Sequence, residues 1–200
     1  MDQPVIFFDK MSGSGNDFII IDNRRGLVPD EFLPRLIVKI CKRRLSVGSD
    51  GLILIEQSGT ADFKWRFYNA DGSVAEMCGN GARCAARFAW RHGIAGKKLS
   101  FETLAGIINA EIIEDRVKLR MTPPGPVAPA RQISLSTGEL AVLSVNTGVP
   151  HAVVEVENLD TMDIVGPGRQ IRYHETFMPA GTNANFVHLL EDGSIAIRTY

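Results

Sequence analysis

Short apolar runs dominate the first half of the chain and predict a succession of strands. Two of them, at residues 5–8 and 18–22, are joined by a Gly/Ser loop, as paired strands often are. The run GLILIE at 51–56 predicts a buried strand, and the alternation of aromatic and polar residues at 62–69 predicts a half-buried one. Three more strand-like runs follow, at residues 99–104, 107–113 and 117–121.

Two segments have helical periodicity. In the first, apolar residues recur at helical spacing and basic residues collect towards the end, which predicts an amphipathic helix. Its apolar positions are Phe32, Leu33, Leu36, Ile37 and Ile40. In the second, residues 82–90 are rich in alanine, the strongest helix former. We expect that helix to begin near Asn80.

A proline-rich stretch separates the two halves of the chain. Residues 122–130 hold four prolines in nine positions, and such a stretch can form neither a helix nor a central strand. We therefore expect one domain at residues 1–122 and a second at residues 123–200. The second domain is short and ends on a strand pattern, so we expect it to be incomplete.

The second domain is also rich in strand patterns, and its last part predicts a hairpin that turns at Asp192 and Gly193. Residues 13–21 and 181–189 share a faint pattern: glycine, polar residues, Asp or Asn, Phe and then mainly apolar residues. This similarity is explained either by chance or by two halves of the chain that are related in sequence and structure.

Composition and charge narrow the class of protein. With 22 basic and 23 acidic residues the net charge is -1, which gives no electrostatic reason to expect binding to nucleic acid or to an anionic membrane. Three cysteines, an odd number, favour a reducing compartment over a disulfide framework. Residues 1–20 have no signal-peptide core, and no apolar run approaches the roughly 20 residues of a membrane span. We expect a soluble cytoplasmic protein.

Cys78 is the clearest candidate for chemistry, because Gly-Asn-Gly follows it at the predicted start of the second helix. Free N–H groups and the positive end of the helix dipole favour the thiolate form of a cysteine placed there. Gly79 and Gly81 leave room for a ligand, whose carboxylate the N–H groups could hold. The alternative is a buried cysteine beside a glycine turn.

The other two cysteines are weaker candidates. Cys41 lies on the apolar stripe of its helix and is expected in the core. Cys84 lies about 9 Å along the helix from Cys78 and is rotated by about 240°, so the two thiols cannot face one small substrate from opposite sides. Their spacing matches no zinc motif, and the chain contains no HExxH, P-loop or GxGxxG pattern.

Five asparagines lie at predicted strand or helix ends beside Gly or Asp: Asn16, Asn69, Asn80, Asn183 and Asn185. They are explained either by turn chemistry or by a pocket that recognises an amino acid with neutral donors and acceptors. His151 enters a predicted strand behind a proline, as a structural histidine or as a group that tunes a nearby thiol.

Taken in order, these motifs resemble the diaminopimelate epimerase family. The stretches that carry the resemblance run from one end of the chain to the other: KMSGSGNDFIIID, GSDGLILIE, FYNADGSVAEMCGNGARCAARF, TGVPHAVV and FMPAGTNANFV. The most specific of them is FYNADGSVAEMCGNGARCAARF. The resemblance implies an α/β (α+β) fold of two similar domains, each a sheet wrapped around a central helix, with the substrate between them. It also implies a homodimer that uses neither pyridoxal phosphate nor a metal.

The family interconverts LL- and meso-diaminopimelate on the route to lysine, and the resemblance assigns roles by motif. Cys78 would be one of two catalytic thiols, and His151 would modulate its acidity. The substrate would be bound by Asn16, Asn69, Gly79, Asn80 and Asn183. Gly51 stands where some members have a glutamine, and Val149 stands where many have an asparagine. We therefore expect neither position to supply a side-chain contact to the substrate.

The family's second thiol lies in a Cys-Gly-Thr-Gly segment, preceded by Glu-Arg-Gly, and neither is found in these 200 residues. Inversion at a carbon needs a base on one face and an acid on the other. We therefore expect this polypeptide, taken alone, to be inactive. The alternatives are a related cofactor-independent racemase or isomerase of another small acid, and a catalytically silent binding domain.

Overall fold

The computed structural model describes residues 5–121 and 123–200, and contacts within the chain divide it into two units, Met1–Thr122 and Pro123–Tyr200. Among residues 5–121 the first unit has eight strands and two helices. In chain order they are β1 (Asp9–Gly13), β2 (Asn16–Asp22), α1 (Leu33–Ile40), β3 (Gly51–Glu56), β4 (Phe63–Asn69), β5 (Val74–Ala75), α2 (Gly79–Arg91), β6 (Lys98–Thr103), β7 (Gly106–Ile113) and β8 (Arg116–Arg120).

These strands form one sheet that curls around helix α2. The order across the sheet is β1-β2-β3-β4-β6-β7-β8, with β5 paired to β4. Strands β2 and β3 are parallel, as are β4 and β6, and the other neighbours are antiparallel. Helix α2 contacts strands from both edges and from the middle of the sheet: β1, β2, β3, β7 and β8. The sheet wrapped around a helix is therefore confirmed for this unit.

Side-chain size explains this arrangement. The buried face of α2 consists mainly of small residues, namely Gly81, Ala82, Cys84, Ala85, Ala86 and Ala89, so the strands approach it closely. Larger residues from β2, β3 and β4 fill the remaining space, among them Phe18, Ile53 and Trp65. Helix α1 covers the other face of β2 and β3, so these strands are buried on both sides and read as unbroken apolar runs.

Two expectations for the first unit need correction. Residues 5–8 are not a strand: the strand is β1, which contains the Gly/Ser residues themselves, and Phe7 is 84% exposed. The loop shrinks to the two residues Ser14 and Gly15, both with positive φ, because such a turn matches the twist of paired strands. Helix α1 is also shorter than expected. Phe32 is exposed in a preceding 3-10 turn, and the basic residues after Lys39 lie beyond the helix end.

The second unit is a five-stranded sheet with one α-helix and one 3-10 turn (Glu175–Phe177) among residues 123–200. Its elements are β9 (Ala128–Leu135), β10 (Gly138–Asn146), β11 (Pro150–Glu155), α3 (Val165–Arg172), β12 (Asn183–Leu189) and β13 (Ile195–Thr199). The order is β13-β12-β11-β10-β9, with only β11 and β12 parallel among the described pairs. Helix α3 packs against β12 and β9, and its Ile171 joins Phe186 in the core.

The proline-rich stretch and the last hairpin follow the sequence expectations. Pro129 lies in β9, an edge strand, where a missing N–H does no harm. Strands β12 and β13 form the expected hairpin, and Asp192 accepts hydrogen bonds from Ser194 in its turn. Helix α3 was not predicted, because two glycines and a proline in its eight residues hide the helical pattern.

Candidate active site

Cys78 is the N-cap residue of helix α2, as the sequence predicted. Its backbone is extended (φ -148, ψ 115), its carbonyl accepts from Ala82 N at 2.8 Å, and its Sγ accepts from Gly81 N at 3.4 Å. Ser, Thr, Asp or Asn usually fills this position with an oxygen acceptor. Here a half-buried sulfur takes that place and accepts a hydrogen bond from a backbone N–H of the first turn.

The first turn of α2 offers further donors. Within the described residues, the backbone N–H groups of Gly79 and Asn80 have no protein acceptor, as expected for the start of a helix. The Asn80 side chain donates from Nδ2 to Asn16 Oδ1 at 2.9 Å, which ties the helix to the start of β2. Two free N–H groups at a positive helix end are suited to bind a carboxylate.

Close packing fixes the position of this helix start. A Cβ at Gly81 would stand 3.3 Å from Ile53 Cδ1 and 3.5 Å from the Phe18 ring, so the helix lies directly on strands β2 and β3. A Cβ at Gly13 would stand 3.0 Å from Asn80 O, so β1 touches the same turn. Glycine at these two positions lets the thiol and the free N–H groups sit tightly against the sheet.

The other candidates of the first unit lie at the same end of the sheet. Asn16 begins β2, Gly51 begins β3, and Asn69 ends the antiparallel β4 directly opposite Gly51. Asn69 is exposed, and its Nδ2 donates to Ser73 Oγ at 3.0 Å. The fold therefore brings Asn16, Asn69 and the start of α2 to the same end of the sheet.

Position 51 has no space for a side chain. A Cβ at Gly51 would stand 2.5 Å from Tyr68 O and 2.6 Å from Phe67 Cε2, which accounts for glycine here in physical terms. Val149 is half-buried, and its carbonyl accepts from Thr147 N at 3.2 Å.

The second unit brings together the remaining candidates. His151 and Asn183 are directly opposite each other on the parallel strands β11 and β12. Asn185, which we expected at a strand end, is instead the third residue of β12 and is 4% exposed. Its Nδ2 lies 3.0 Å from His151 Nδ1, and its Oδ1 accepts from Thr199 Oγ1 at 2.9 Å.

The two other thiols have different surroundings from Cys78. Cys41 is buried, as expected, and burial raises its pKa, although Ser49 Oγ donates to its sulfur at 3.2 Å. Cys84 is buried on the inner face of α2, and burial, with a smaller contribution from Cys78, raises its pKa to about 11. Both thiols therefore stay protonated at neutral pH.

Sequence reasoning missed Asp50, which contacts Asn16 and is paired on its other oxygen with the exposed Arg43. Asp50 Oδ2 accepts from Asn16 Nδ2 at 3.1 Å, and Arg43 Nη2 donates to Asp50 Oδ1 at 2.8 Å. Asp50 lies in the GSDG motif, but a turn aspartate gives no signal of which amide it will contact.

The parts of the chain that the structure describes contain no cluster of three or more His, Cys, Asp or Glu side chains placed to hold a metal ion. No helix in those parts has the length and apolar character needed to cross a bilayer.

Solved structures share this fold. The chain aligns with a hydroxyproline epimerase from Agrobacterium vitis at TM-score 0.75 and 18% identity, covering 97% of this chain and 69% of that one. A phenazine biosynthesis protein of the PhzF family from Bacillus anthracis aligns at TM-score 0.71 and 20% identity, covering 98% and 71%. The chain therefore has the fold that these two solved structures share.

Sequence relatives identify the family within that class. The diaminopimelate epimerase model matches residues 8–127. Diaminopimelate epimerases from Aquifex aeolicus and Hydrogenobaculum sp. are 46% and 49% identical; each alignment covers 96% of this chain, and 72% and 73% of the respective relative. The chain belongs to the diaminopimelate epimerase family, and it is an isomerase of the epimerase type.

Proposed function

We propose that this protein interconverts LL- and meso-diaminopimelate by moving a proton on and off the substrate Cα, with Cys78 as one of two acid/base thiols. The observation that carries this proposal is the place of Cys78. It is the N-cap of α2, its sulfur accepts from Gly81 N, and the neighbouring N–H groups of Gly79 and Asn80 are free of protein acceptors within the described residues.

In this mechanism the Cys78 thiolate removes the Cα proton on one face and becomes a thiol. A thiol on the opposite face donates its proton to Cα and becomes a thiolate, so atoms and charge balance and the configuration is inverted. The roles exchange in the reverse direction. Neither Cys41 nor Cys84 suits the second role, because both are buried and cannot contact a substrate. Burial also raises their pKa values, which disfavours the thiolate that the reverse direction requires.

Negative charge develops next to the substrate carboxylate when the Cα proton leaves. The N–H groups of Gly79 and Asn80 would bind this carboxylate at the positive end of α2 and stabilise that charge. The amides of Asn16, Asn69 and Asn183 would hold the polar groups of the substrate, and His151 would modulate the acidity of a thiol. We further propose that the enzyme acts in lysine biosynthesis in the cytoplasm as a homodimer.

Purified protein from the full gene-encoded chain, incubated with LL-diaminopimelate, tests this proposal. We expect meso-diaminopimelate to form and expect proline and hydroxyproline to remain unchanged. Cys78→Ala should lower turnover by at least about a thousandfold, as loss of an acid/base group does. Cys84→Ala, a change on the same helix, should keep turnover and serves as the control. Equal activity of the Cys78→Ala enzyme and the unaltered enzyme would refute the assignment.

A further inference from the structure

Three polar side chains link the start of strand β3 to the start of helix α2. Asn16 Nδ2 donates to Asp50 Oδ2 at 3.1 Å, and Asn80 Nδ2 donates to Asn16 Oδ1 at 2.9 Å. Asn80 is the second residue of α2, next to Gly79 and two residues beyond Cys78. Asp50 is thus connected to the candidate site through two consecutive carboxamides.

The chemistry of Asp50 sets the direction of these hydrogen bonds. An ionised carboxylate can only accept, whereas a carboxamide offers an oxygen on one side and an NH₂ group on the other. Asn16 must therefore turn its NH₂ group to Asp50 and its oxygen to Asn80. That oxygen in turn requires a donor, so Asn80 presents its own NH₂ group to Asn16.

The result is a defined set of groups for a ligand. Asn80 Oδ1 has no donor among the described residues, and one hydrogen of Asn16 Nδ2 is left over after the bond to Asp50. If either amide were turned over, an acceptor would replace a donor at the same place. Such a change weakens substrate binding much more in a site that must match a polar substrate than it would on an open surface, because a polar group of the substrate is left without its hydrogen-bond partner.

Asp50 is held mainly by the backbone. Its own N–H donates to Asp17 O at 2.9 Å, and Asp17 N donates to its Oδ2 at 3.1 Å. Arg43 contacts the other oxygen, Oδ1, but its side chain is 56% exposed. The two backbone contacts do not involve Arg43, so Asp50 should keep its position when Arg43 is replaced. Arg43 also pairs with Asp17, so its replacement lowers the stability of all three test proteins alike and does not affect the comparison among them.

We propose that Asp50 is a positioning residue of this epimerase: its carboxylate fixes the orientation of the Asn16 and Asn80 carboxamides and thereby the hydrogen-bonding pattern that the substrate meets. This inference rests on the proposed function. It assigns to Asp50 a role in substrate binding without direct contact with the substrate.

The test compares three enzymes that all lack the exposed ion pair: Arg43→Met, Arg43→Met with Asp50→Asn, and Arg43→Met with Asp50→Ala. Without Arg43 as a competing donor, the carboxamide oxygen introduced by Asp50→Asn can turn to Asn16. KM for LL-diaminopimelate should be close to that of the unaltered enzyme for Arg43→Met and within about threefold of it for the Asn variant. For the Ala variant it should rise by at least about tenfold, with a smaller change in kcat, because ground-state binding is lost.

A purely structural role for Asp50 predicts a different result. The Asn and Ala variants would then lose activity in proportion to their loss of thermal stability, which is measured on the same samples. Equal KM values for all three enzymes, or KM values that only follow Tm, would overturn the proposal. Asp50→Val, which keeps the side-chain volume, replaces the Ala variant if that protein does not fold.

A second measurement does not depend on the substrate. In ¹⁵N NMR spectra, the Asn16 side-chain NH₂ signals, assigned by their loss in Asn16→Ser, should be alike in the unaltered and Arg43→Met proteins. They should shift and exchange faster with water in the Ala variant; unchanged signals there would overturn the positioning role. If the unaltered enzyme does not turn over diaminopimelate, the proposed function fails, whereas the NMR result still decides the role of Asp50.

Discussion

Gly13 lies directly against the thiol of Cys84: a Cβ at Gly13 would stand 2.9 Å from Cys84 Sγ and 3.0 Å from Asn80 O. Strand β1 therefore touches α2 both at its first turn and one turn further along. Because neither a short cysteine side chain nor a helix backbone can move away freely, the contact sets the distance between β1 and the start of the helix.

Gly13→Ala should accordingly push the first turn of α2 off the sheet. We expect a loss of about 1–3 kcal/mol in the free energy of unfolding, typical of overpacking, together with a lower affinity for diaminopimelate. Chemical denaturation measures the first and calorimetric titration the second. Gly59→Ala is the matched control, since a Cβ there meets no atom within 4 Å. Equal stability of the two variants would contradict the close contact.

Cys78 should be the cysteine most readily alkylated in the folded protein. It is half-buried at a helix start, whereas Cys41 and Cys84 are buried and burial raises their pKa values, that of Cys84 to about 11. Labelling with iodoacetamide at about pH 8, followed by peptide mass spectrometry, should show modification of Cys78 first. Denatured protein is the control, in which all three thiols should react alike. Labelling of Cys41 or Cys84 as fast as Cys78 in the folded state would refute this prediction.

Two histidines of the second unit should carry their protons on different ring nitrogens when neutral. The Asn185 amide can only donate from Nδ2, so His151 Nδ1 accepts and the proton lies on Nε2. His188 Nδ1 lies 2.9 Å from Val156 O, an acceptor, so its proton lies on Nδ1. Long-range ¹H–¹⁵N correlation spectra distinguish the two tautomers, and His188 serves as the internal comparison. The same tautomer at both positions would show that one of the two contacts is wrong.

Protonation of Asp17 should lower the stability of the protein in acid. Arg43 donates to its carboxylate at 2.9 Å and, with a smaller contribution from Lys10, holds the pKa of Asp17 well below its ordinary value near 3.8. A lowered pKa means that the stabilisation is fully present above the unfolded value and is lost as pH falls below it. The difference in Tm between the unaltered protein and Asp17→Asn should therefore be constant from about pH 7 to pH 5 and shrink towards about pH 3. A Tm difference independent of pH over this range would contradict the role of the ion pairs.

Much of the fold follows from local patterns, and the exceptions have physical causes. Strand β3 was predicted because an unbroken apolar run indicates a strand buried on both faces. Strand β4 was predicted because alternating apolar and polar residues indicate a strand buried on one face. Residues 5–8 misled the prediction because apolar residues can also lie on the surface, as Phe7 does. Helix α3 was missed because its stability comes from packing of residues such as Ile171 rather than from helix propensity.

The site could be predicted only in part. The start of α2 was visible in the sequence, because Gly-Asn-Gly before an alanine-rich run marks a helix N-terminus, and this placed Cys78 correctly at the cap. The contact of Asp50 with Asn16 joins residues 34 positions apart, so it depends on the parallel pairing of β2 and β3. Sheet order is a tertiary property, and local sequence patterns do not determine it.

The central claim, that Cys78 works with a second thiol on the opposite face of the substrate, is tested most directly by inversion in deuterated water. The experiment compares the 200-residue polypeptide with the same polypeptide extended beyond Tyr200 by a segment that contains the family's Cys-Gly-Thr-Gly sequence. With LL-diaminopimelate, the extended form should invert the Cα centre and incorporate deuterium there, and Cys78→Ala should abolish both. The 200-residue form should not invert substrate at an appreciable rate. Inversion by the 200-residue form as fast as by the extended form, or inversion that survives Cys78→Ala, would contradict the two-thiol mechanism.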